Sequence, residues 1–369
     1  MEIFGSHVLP EVHDNDVNAR PIVKADAIKM ICVFRSHLQA PFLLELLPYV
    51  IRHLDSTHVV IQTYAAMCIE RFLSVKDKTP TGQSVQRITK EHLNPHLQSL
   101  FSGLFKVLAN EDLTENDYAM KCIMRVLAVV GPDIAPITPL VLQQLTACLD
   151  RVCKSPVNPH YNHYLFECLA VLIRSSCATP ETAAQAGPQL ERLLFTPFQS
   201  VLSGDITELT PYVFQILASL LSVQPGKQSG LSPSFHSLFP PLLSPNLWER
   251  KGNVPALTDL FKAYISKGMN QIVAGNHLSG VLGVFQKLLA SKVRHHYLSF
   301  FGIFFCIILR IDRMYALTPH LTELTIYRHS NNTFFFILHL MLLIPSNIYS
   351  ANSCTRLLIR THLNCWTSL

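Results

Sequence analysis

Five stretches of the chain repeat one pattern of apolar residues and decide the fold: KADAIKMICVFRSHL (24–38), TYAAMCIERFLSV (63–75), YAMKCIMRVLAVV (118–130), HYLFECLAVLIRS (163–175) and PYVFQILASLLSV (211–223). In each stretch, apolar side chains recur at the three- and four-residue spacing of one helix face. The stretches follow one another at intervals of about 39 to 54 residues, and such a period with two helices per unit is typical of HEAT or armadillo repeats. The sequence therefore predicts an all-α protein, an α-α superhelix built as a HEAT-repeat solenoid.

The segments between these stretches predict a partner for most of the repeated helices. PFLLELLPYVIRHLD (41–55) begins at Pro41, where the missing N–H of proline is tolerated in a helix. The polar stretch VKDKTPTGQSVQR (75–87) is predicted to be a loop, and no β-sheet is expected. The predicted pairs are 41–55 with 58–75, 89–110 with 116–130, 136–152 with 160–177, 184–202 with 210–223 and 234–249 with 254–267, and a last helix covers 280–292.

A solenoid of this kind binds other macromolecules along its length, so the pattern favours a binding scaffold over an enzyme. No arrangement of nucleophile and base or of paired carboxylates stands out, so no catalytic residue and no cofactor are predicted. His160 and His163 have a spacing that metal ligands can use, but a third ligand is missing nearby. No metal site is therefore expected.

The net charge of +5 is unevenly distributed along the 369 residues. Residues 293–369 carry six arginines and two acidic residues, which leaves 24 basic and 23 acidic side chains in residues 1–292. The predicted repeats are therefore nearly neutral and lack the strong positive field that binding to nucleic acid requires.

The ten cysteines are scattered, and none forms a Cys-x-x-Cys motif. Cys32, Cys68, Cys122 and Cys168 lie within the apolar helical stretches, which predicts buried free thiols in a reducing compartment. The first residues, MEIFGSHVLPEVHDND, lack the basic start and long apolar run of a signal peptide.

Several stretches are more specific than helix packing demands. They are VNARPIVKADAIKMICVFR (17–35), NPHYNHYLFECLAVLIR (158–174), LTPYVFQILASLL (209–221), LFPPLLSPNLWERKGNVPAL (238–257) and VLGVFQKLLASK (281–292). They closely resemble exportins of the importin-β (karyopherin) superfamily of nuclear transport receptors, in register over about 290 residues.

The resemblance implies a receptor that carries importin-α out of the nucleus together with the GTP-bound form of the small GTPase Ran. We expect a protein found in both nucleus and cytoplasm, without enzymatic activity, nucleic-acid binding or membrane insertion, and as a monomer. The likeness corresponds to the middle of the family's arch, so we expect a fragment with reduced export activity. The alternative is a generic HEAT-repeat scaffold without transport activity.

Second helices generally line the concave face of HEAT arches, so their polar side chains are the candidate partner-binding residues. These are Arg35, Arg71, Lys121, Arg125, Glu167, Arg174, Asp259 and Lys262. Each of them is also compatible with an ordinary solvated position. Their mixed charges fit a protein partner better than nucleic acid.

The likeness to the superfamily ends at Lys292, which predicts a domain boundary there. Residues 1–292 form the predicted solenoid, and residues 293–369 form a poorly ordered, hydrophobic tail outside the family pattern. The sequence Ser-Lys-Val-Arg (291–294) suggests read-through into an intron. Membrane insertion is the rival interpretation, but the apolar runs 297–309 and 333–344 are shorter than the roughly 20 residues that a spanning helix needs.

Overall fold

A computed structural model describes residues 2–110, 113, 115–224, 230–281 and 283–284. The described chain is built almost entirely of helices. They are α1 (Leu9–His13), α2 (Pro21–Phe34), α3 (Ala40–Arg52), α4 (Val59–Phe72), α5 (Lys90–Leu93), α6 (Leu97–Leu108), α7 (Asp117–Val130), α8 (Thr138–Lys154), α9 (Pro159–Ser176), α10 (Pro180–Ser203), α11 (Thr210–Val223), α12 (Pro233–Leu242), α13 (Pro245–Glu249) and α14 (Val254–Ala274). Short turns of π- or 3-10 helix cover Phe4–Val8, His53–Asp55, Asn94–His96 and Gly131–Ile137.

The helices up to α11 form antiparallel pairs arranged in two layers. α1 packs on α2, α3 on α4, α6 on α7, α8 on α9 and α10 on α11. The second members of these pairs also pack on one another in chain order, from α2 through α4, α7 and α9 to α11. We call these five helices the second-helix layer. They correspond to the five repeated stretches of the sequence.

Local signals in the sequence explain where the helices begin. Helices α2, α9 and α10 begin at Pro21, Pro159 and Pro180, where the fixed φ of proline suits the first turn. The side chain of Asn158 caps α9 by accepting hydrogen bonds from the N–H groups of His160 and Tyr161, both at 3.1 Å. Proline and an Asx cap together define this boundary.

The apolar stripes form the core between the layers. Phe72, Phe101, Phe166, Phe198 and Phe214 are among the largest fully buried side chains. The rings of Phe166 and Phe198 stack with centroids 6.4 Å apart, which joins α9 to α10. The predicted burial of Cys32, Cys68, Cys122 and Cys168 as free thiols is confirmed.

The prediction that residues 75–87 form a loop without strands is wrong. Strand β1 (Lys76–Lys78) pairs antiparallel with strand β2 (Ser84–Gln86) and forms a hairpin after α4. The turn includes Gly82, whose φ of +79° lies in the region that glycine adopts without strain. The stretch is mostly polar, so its few β-branched residues and its turn glycine did not indicate a hairpin.

Two other predicted helices differ from the structure. The stretch 234–249 is divided into α12 and α13, and Pro245 begins α13, because the residue before a proline is disfavoured in helical conformation. The stretch 254–267 continues as α14 to Ala274, with non-helical backbone angles at Gly268. The described part of the predicted helix 280–292 is residues 280, 281, 283 and 284.

A buried polar network attaches the first residues to the rest of the chain. The ammonium of Lys24, which is completely buried, donates to the carbonyl oxygen of Glu11 at 2.9 Å and to Oδ2 of Asp14 at 3.2 Å. The imidazole of His53, also completely buried, donates from Nε2 to the carbonyl oxygen of Val12 at 3.0 Å. These bonds satisfy carbonyl groups at the C-terminal end of α1, where helix carbonyls lack intrahelical partners.

The chain divides into two compact units. The first comprises residues 1–238 and 246–267 and contains the helix pairs described above. The second comprises residues 239–245 and 268–369. Within its described part, the rings of Phe239 and His277 make an edge contact with centroids 5.8 Å apart.

Among the described residues, Asp117–Lys154 is long and apolar enough to cross a membrane by length and composition. In the fold it is not one straight helix, because Gly131–Ile137 separates α7 from α8. Core helices pass the same test, so it carries little weight for a membrane span. The apolar runs 297–309 and 333–344, the predicted boundary at Lys292 and the predicted tail all lie outside the described residues.

Candidate functional site

The predicted partner-binding residues lie on the second helix of a pair or on α14. Arg35 caps the end of α2, Arg71 lies in the last turn of α4, and Arg174 lies in the last turn of α9. The others are Lys121 and Arg125 on α7, Glu167 on α9, and Asp259 and Lys262 on α14. Basic side chains near helix C-termini complement the helix dipole, so a stabilising role exists beside a binding role.

Glu70 is the centre of one group of predicted residues. Its carboxylate is almost fully buried on α4, where Oε1 accepts hydrogen bonds from Nε and Nη2 of Arg125 at 3.3 and 3.2 Å. Oε2 lies 3.5 Å from Nε of Arg71, and the hydroxyl of Ser74 donates to Oε1 at 3.1 Å. One buried carboxylate thus holds two partly exposed guanidinium groups from consecutive second helices.

The hairpin is fastened to the end of α2 by Arg87. Its Nη1 donates to the carbonyl oxygens of Leu38 at 2.6 Å and Arg35 at 3.2 Å, while its Nε donates to both carboxylate oxygens of Asp77. The guanidinium of Arg87 lowers the pKa of the Asp77 carboxyl, and this carboxylate in turn raises the pKa of Arg87. The hairpin therefore has a defined position beside α2 and α4.

These contacts place basic side chains along one edge of the first unit. We call them the basic edge: Arg35, Arg71, Lys76, Lys78, Arg87 and Arg125. Two acidic groups, Glu70 and Asp77, lie among them and are both paired with arginine. Within this group, six basic side chains face two acidic ones.

A second feature of the second-helix layer is a series of cation–aromatic contacts between consecutive helices. Nζ of Lys29 on α2 lies 5.7 Å from the ring centre of Tyr64 on α4. Nζ of Lys121 on α7 lies 5.4 Å from the ring centre of Tyr164 on α9. Because a ring quadrupole attracts a cation at this distance, the helices are linked by similar chemistry at both steps.

The step from α9 to α11 has a related contact. His163 lies over Tyr212 with ring centroids 6.0 Å apart, and the Tyr212 hydroxyl is 3.5 Å from Nδ1 of His163. We call Tyr64, Tyr164 and Tyr212, with their basic partners, the tyrosine row. All three tyrosines are half-buried and offer polar hydroxyls together with aromatic surface, as protein interfaces often do.

The remaining predicted residues belong neither to the basic edge nor to the tyrosine row. The side chains of Glu167 and Arg174, both on α9, make no hydrogen bond or ion pair in the part of the chain that the structure describes. Asp259 and Lys262 pair with each other on one face of α14, with Nζ 2.9 Å from Oδ1. Exposed pairs of this spacing contribute little stability, so both side chains remain available to a partner.

Sequence reasoning missed Glu70, Arg87 and the tyrosine row. A signal for Glu70 was present, because a charged residue at position 70 falls on the apolar stripe of its stretch and requires a buried partner. Arg87 gave no signal, since its role depends on the hairpin. His163 was considered as a metal ligand, but within the described ranges no three His, Cys, Asp or Glu side chains form a group that could hold a metal ion.

Comparison with known families gives two consecutive matches. A family profile described as "CAS/CSE protein, C-terminus" matches residues 70–359, and a profile described as "Cse1" matches residues 1–69. Curated relatives include Exportin-2 of Xenopus laevis, 40% identical over 298 residues, and Exportin-2 of Homo sapiens, 38% identical over 297 residues. Each alignment covers 80% of this chain and 30% of the relative. The chain thus spans about 30% of the length of these relatives.

A solved structure provides a comparison of the fold. The exportin Cse1 in its cargo-free, cytoplasmic state matches with a TM-score of 0.70 and 30% sequence identity. The match covers 91% of this chain and 33% of that one. That exportin is a HEAT-repeat helical solenoid, so the predicted fold class, an α-α superhelix, is confirmed.

Proposed function

The chain belongs to the CAS/CSE family of exportins, and from this membership we propose that it acts in nuclear transport as part of an export receptor. The observation that supports this function is identity of about 40% with Exportin-2 along 80% of the chain. A generic HEAT-repeat scaffold would share the fold, but it would not require this identity. The scaffold alternative is therefore less favoured.

The proposed partners are importin-α and GTP-bound Ran, as the family resemblance implies. The basic edge and the tyrosine row are the surfaces that we propose for contact with these protein partners. Arginine and tyrosine are enriched in protein interfaces, where they combine apolar area with directional hydrogen bonds. Glu167, Arg174, Asp259 and Lys262 would add polar contacts of both signs.

Binding without catalysis is the proposed mode of action. A transport receptor couples two ligands when both prefer the same conformation of the receptor, and each then raises the affinity of the other by an equal factor. Because the chain spans about 30% of its relatives, it offers only part of such a contact surface. We therefore propose weak binding of importin-α by the 369-residue chain alone, with only a slight increase from GTP-bound Ran, and distribution between nucleus and cytoplasm.

Titration calorimetry of the full chain with importin-α, with and without GTP-loaded Ran, tests this function. We expect a dissociation constant of about 10 µM or weaker, and further weakening in the variant Arg71→Glu/Arg174→Glu. The matched control is Lys154→Glu/Lys251→Glu, which reverses two exposed charges outside the second-helix layer. Equal loss of binding in both variants would argue against the proposed surface, and tight binding that requires Ran would contradict the expected weakness of this chain alone.

A further inference from the structure

The hairpin after α4 has one strand whose outer edge is open. β1 and β2 are in the register Lys76↔Gln86, Asp77↔Val85 and Lys78↔Ser84. Hydrogen bonds run from the N–H of Thr79 to the carbonyl of Gln83 at 2.9 Å and from the N–H of Arg87 to the carbonyl of Val75 at 3.0 Å. Bonded and non-bonded pairs alternate in an antiparallel ladder, so the pairs that contain Lys76 and Lys78 are of the non-bonded kind.

It follows that Lys76 and Lys78 direct their backbone N–H and C=O groups away from β2. The sheet has two strands in the described part of the chain, and all three residues of β1 are exposed. β1 therefore presents a short row of donors and acceptors of the kind to which an additional strand can bind.

The side chains on this edge restrict which strand can bind. Lysine on an edge strand commonly prevents pairing with a second copy of the same strand, because like charges directly opposite are unfavourable. The same two lysines favour a strand with glutamate or aspartate at alternate positions. Arg35 and Arg71 lie at the C-terminal ends of α2 and α4, and Arg87 joins the hairpin to the carbonyl oxygen of Arg35.

The hairpin is also held in place before any ligand binds. Arg87 joins it to the carbonyl oxygens of Arg35 and Leu38, and Asp77 is engaged by the same guanidinium. An edge that is already ordered loses less conformational entropy on binding than a mobile loop would.

We propose that the outer edge of β1 binds an acidic peptide in extended conformation by strand addition, with Lys76 and Lys78 contacting alternate acidic side chains. This inference goes beyond the proposed transport function, because such a site would act on whichever protein carries the peptide. Lys76 and Lys78 belong to the basic edge, but binding of a short peptide is measured separately from the importin-α titration, so the two proposals can fail separately. Affinity comes from the backbone hydrogen bonds, and selectivity comes from the two lysines.

Fluorescence anisotropy with the full chain tests the proposal. The probe is a fluorescein-labelled eight-residue peptide of alternating glutamate and valine. We expect saturable binding that is at least about tenfold weaker for the glutamine–valine peptide, since two cross-strand charge pairs are lost. A glutamate–valine peptide that is N-methylated at alternate residues should lose binding, because its backbone donors are blocked. Equal binding of the methylated peptide would overturn strand addition.

Variants of the chain separate the roles of side chain and backbone. Lys76→Glu/Lys78→Glu should weaken probe binding about tenfold, whereas the control Lys154→Glu/Lys251→Glu should leave it unchanged. Lys78→Pro removes one outward N–H and leaves the bonds between β1 and β2 intact, so it should bind less well than Lys78→Gln. Circular dichroism verifies that each variant is folded.

Two outcomes of these experiments would contradict the proposal. Equal affinity of Lys78→Pro and Lys78→Gln would show that the backbone edge is not used. Equal or tighter binding of a labelled oligothymidine of similar charge would show a general polyanion surface instead of a peptide site.

Discussion

The carboxylate of Glu70 on α4 accepts two hydrogen bonds from the guanidinium of Arg125 on α7, at 3.3 Å from Nε and 3.2 Å from Nη2. The two partners differ in exposure: 4% of the Glu70 side chain and 35% of the Arg125 side chain is accessible. Loss of one partner therefore has a different consequence from loss of the other.

Arg125→Ala should destabilise the protein more than Glu70→Gln does. Without Arg125, a buried carboxylate keeps only Arg71 and Ser74, so we expect a loss of about 2–3 kcal/mol in the free energy of unfolding. With glutamine at position 70, Arg125 can turn to water, and the expected loss is about 1 kcal/mol. Urea unfolding of both single variants and the double variant measures the difference, and equal losses would argue against an effect of burial.

Acid should destabilise the protein through His53. Burial lowers the pKa of this imidazole from 6.5 to about 4, although its hydrogen bond to Val12 opposes the shift. The unfolded state binds the proton below about pH 6.5 and the folded state only below about pH 4, so stability is full above pH 6.5 and falls between these values. A shift of this size corresponds to about 3 kcal/mol.

His53→Gln should flatten the pH dependence of unfolding between pH 6.5 and 4, and glutamine can still donate to the Val12 carbonyl. The control is His58→Gln, at an exposed position after α3. Carboxylates also contribute in this range, since burial raises the pKa of Glu115, but they contribute equally to both histidine variants, so the difference in slope between the variants reports His53. An unchanged slope in His53→Gln would exclude this histidine as the cause.

Lys24→Met should release the first residues from α2. The variant keeps the length of the side chain and removes the donor to Glu11 and Asp14, which leaves a buried carbonyl oxygen without a partner. We expect faster amide hydrogen exchange in residues 9–16 and a loss of about 1–3 kcal/mol in stability. Lys29→Met, at an exposed position on the same helix, should leave exchange in residues 9–16 unchanged.

The cysteines should differ in reactivity towards N-ethylmaleimide at pH 8. Burial raises the pKa of Cys153 to about 11, so little thiolate is present at pH 8. Because this side chain is partly exposed, it should still be alkylated, but slowly. Burial also raises the pKa of Cys122 and Cys168, which are inaccessible in the fold. Since the thiolate is the reactive form, both should react only after urea unfolds the chain. Fast labelling of Cys122 in the native protein, detected by mass spectrometry, would contradict this ranking.

Truncation after Lys292 tests the domain boundary that the sequence predicts. We expect residues 1–292 to unfold at the same temperature as the full chain and to be more soluble, because large apolar patches promote association. The family profile matches as far as residue 359, so the alternative is that residues after Lys292 also contribute to the fold. A lower unfolding temperature of the truncated protein would show that the last 77 residues contribute to the fold.

The helices of the second-helix layer could be predicted from apolar spacing alone. Thr210–Val223 forms a helix within the predicted range 210–223, and Asp117–Val130 agrees with the prediction to one residue. Apolar spacing succeeds here because burial of one face dominates the energetics of these helices. The family was likewise recognised correctly from short specific stretches.

The hairpin and the buried polar groups were not predicted. β1 and β2 have three residues each, too few for an alternating pattern to stand out from a polar loop. Lys24 and His53 are compatible with an exposed position when only the sequence is considered, whereas Glu70 falls on the apolar stripe of its stretch but gives no local sign of its partner. Their burial depends on partners 13 to 55 residues away, which no local pattern specifies.

The tyrosine row has a consequence for how binding strength would scale. Lys29 with Tyr64, Lys121 with Tyr164 and His163 with Tyr212 offer similar groups at three of the four steps of the second-helix layer. A partner that reaches two steps holds its second contact at a high effective concentration, so affinity multiplies with the number of steps engaged. Loss of one tyrosine would then weaken a long partner by a modest factor and a short partner almost completely. Affinity for the second-helix layer would therefore depend on the length of the partner.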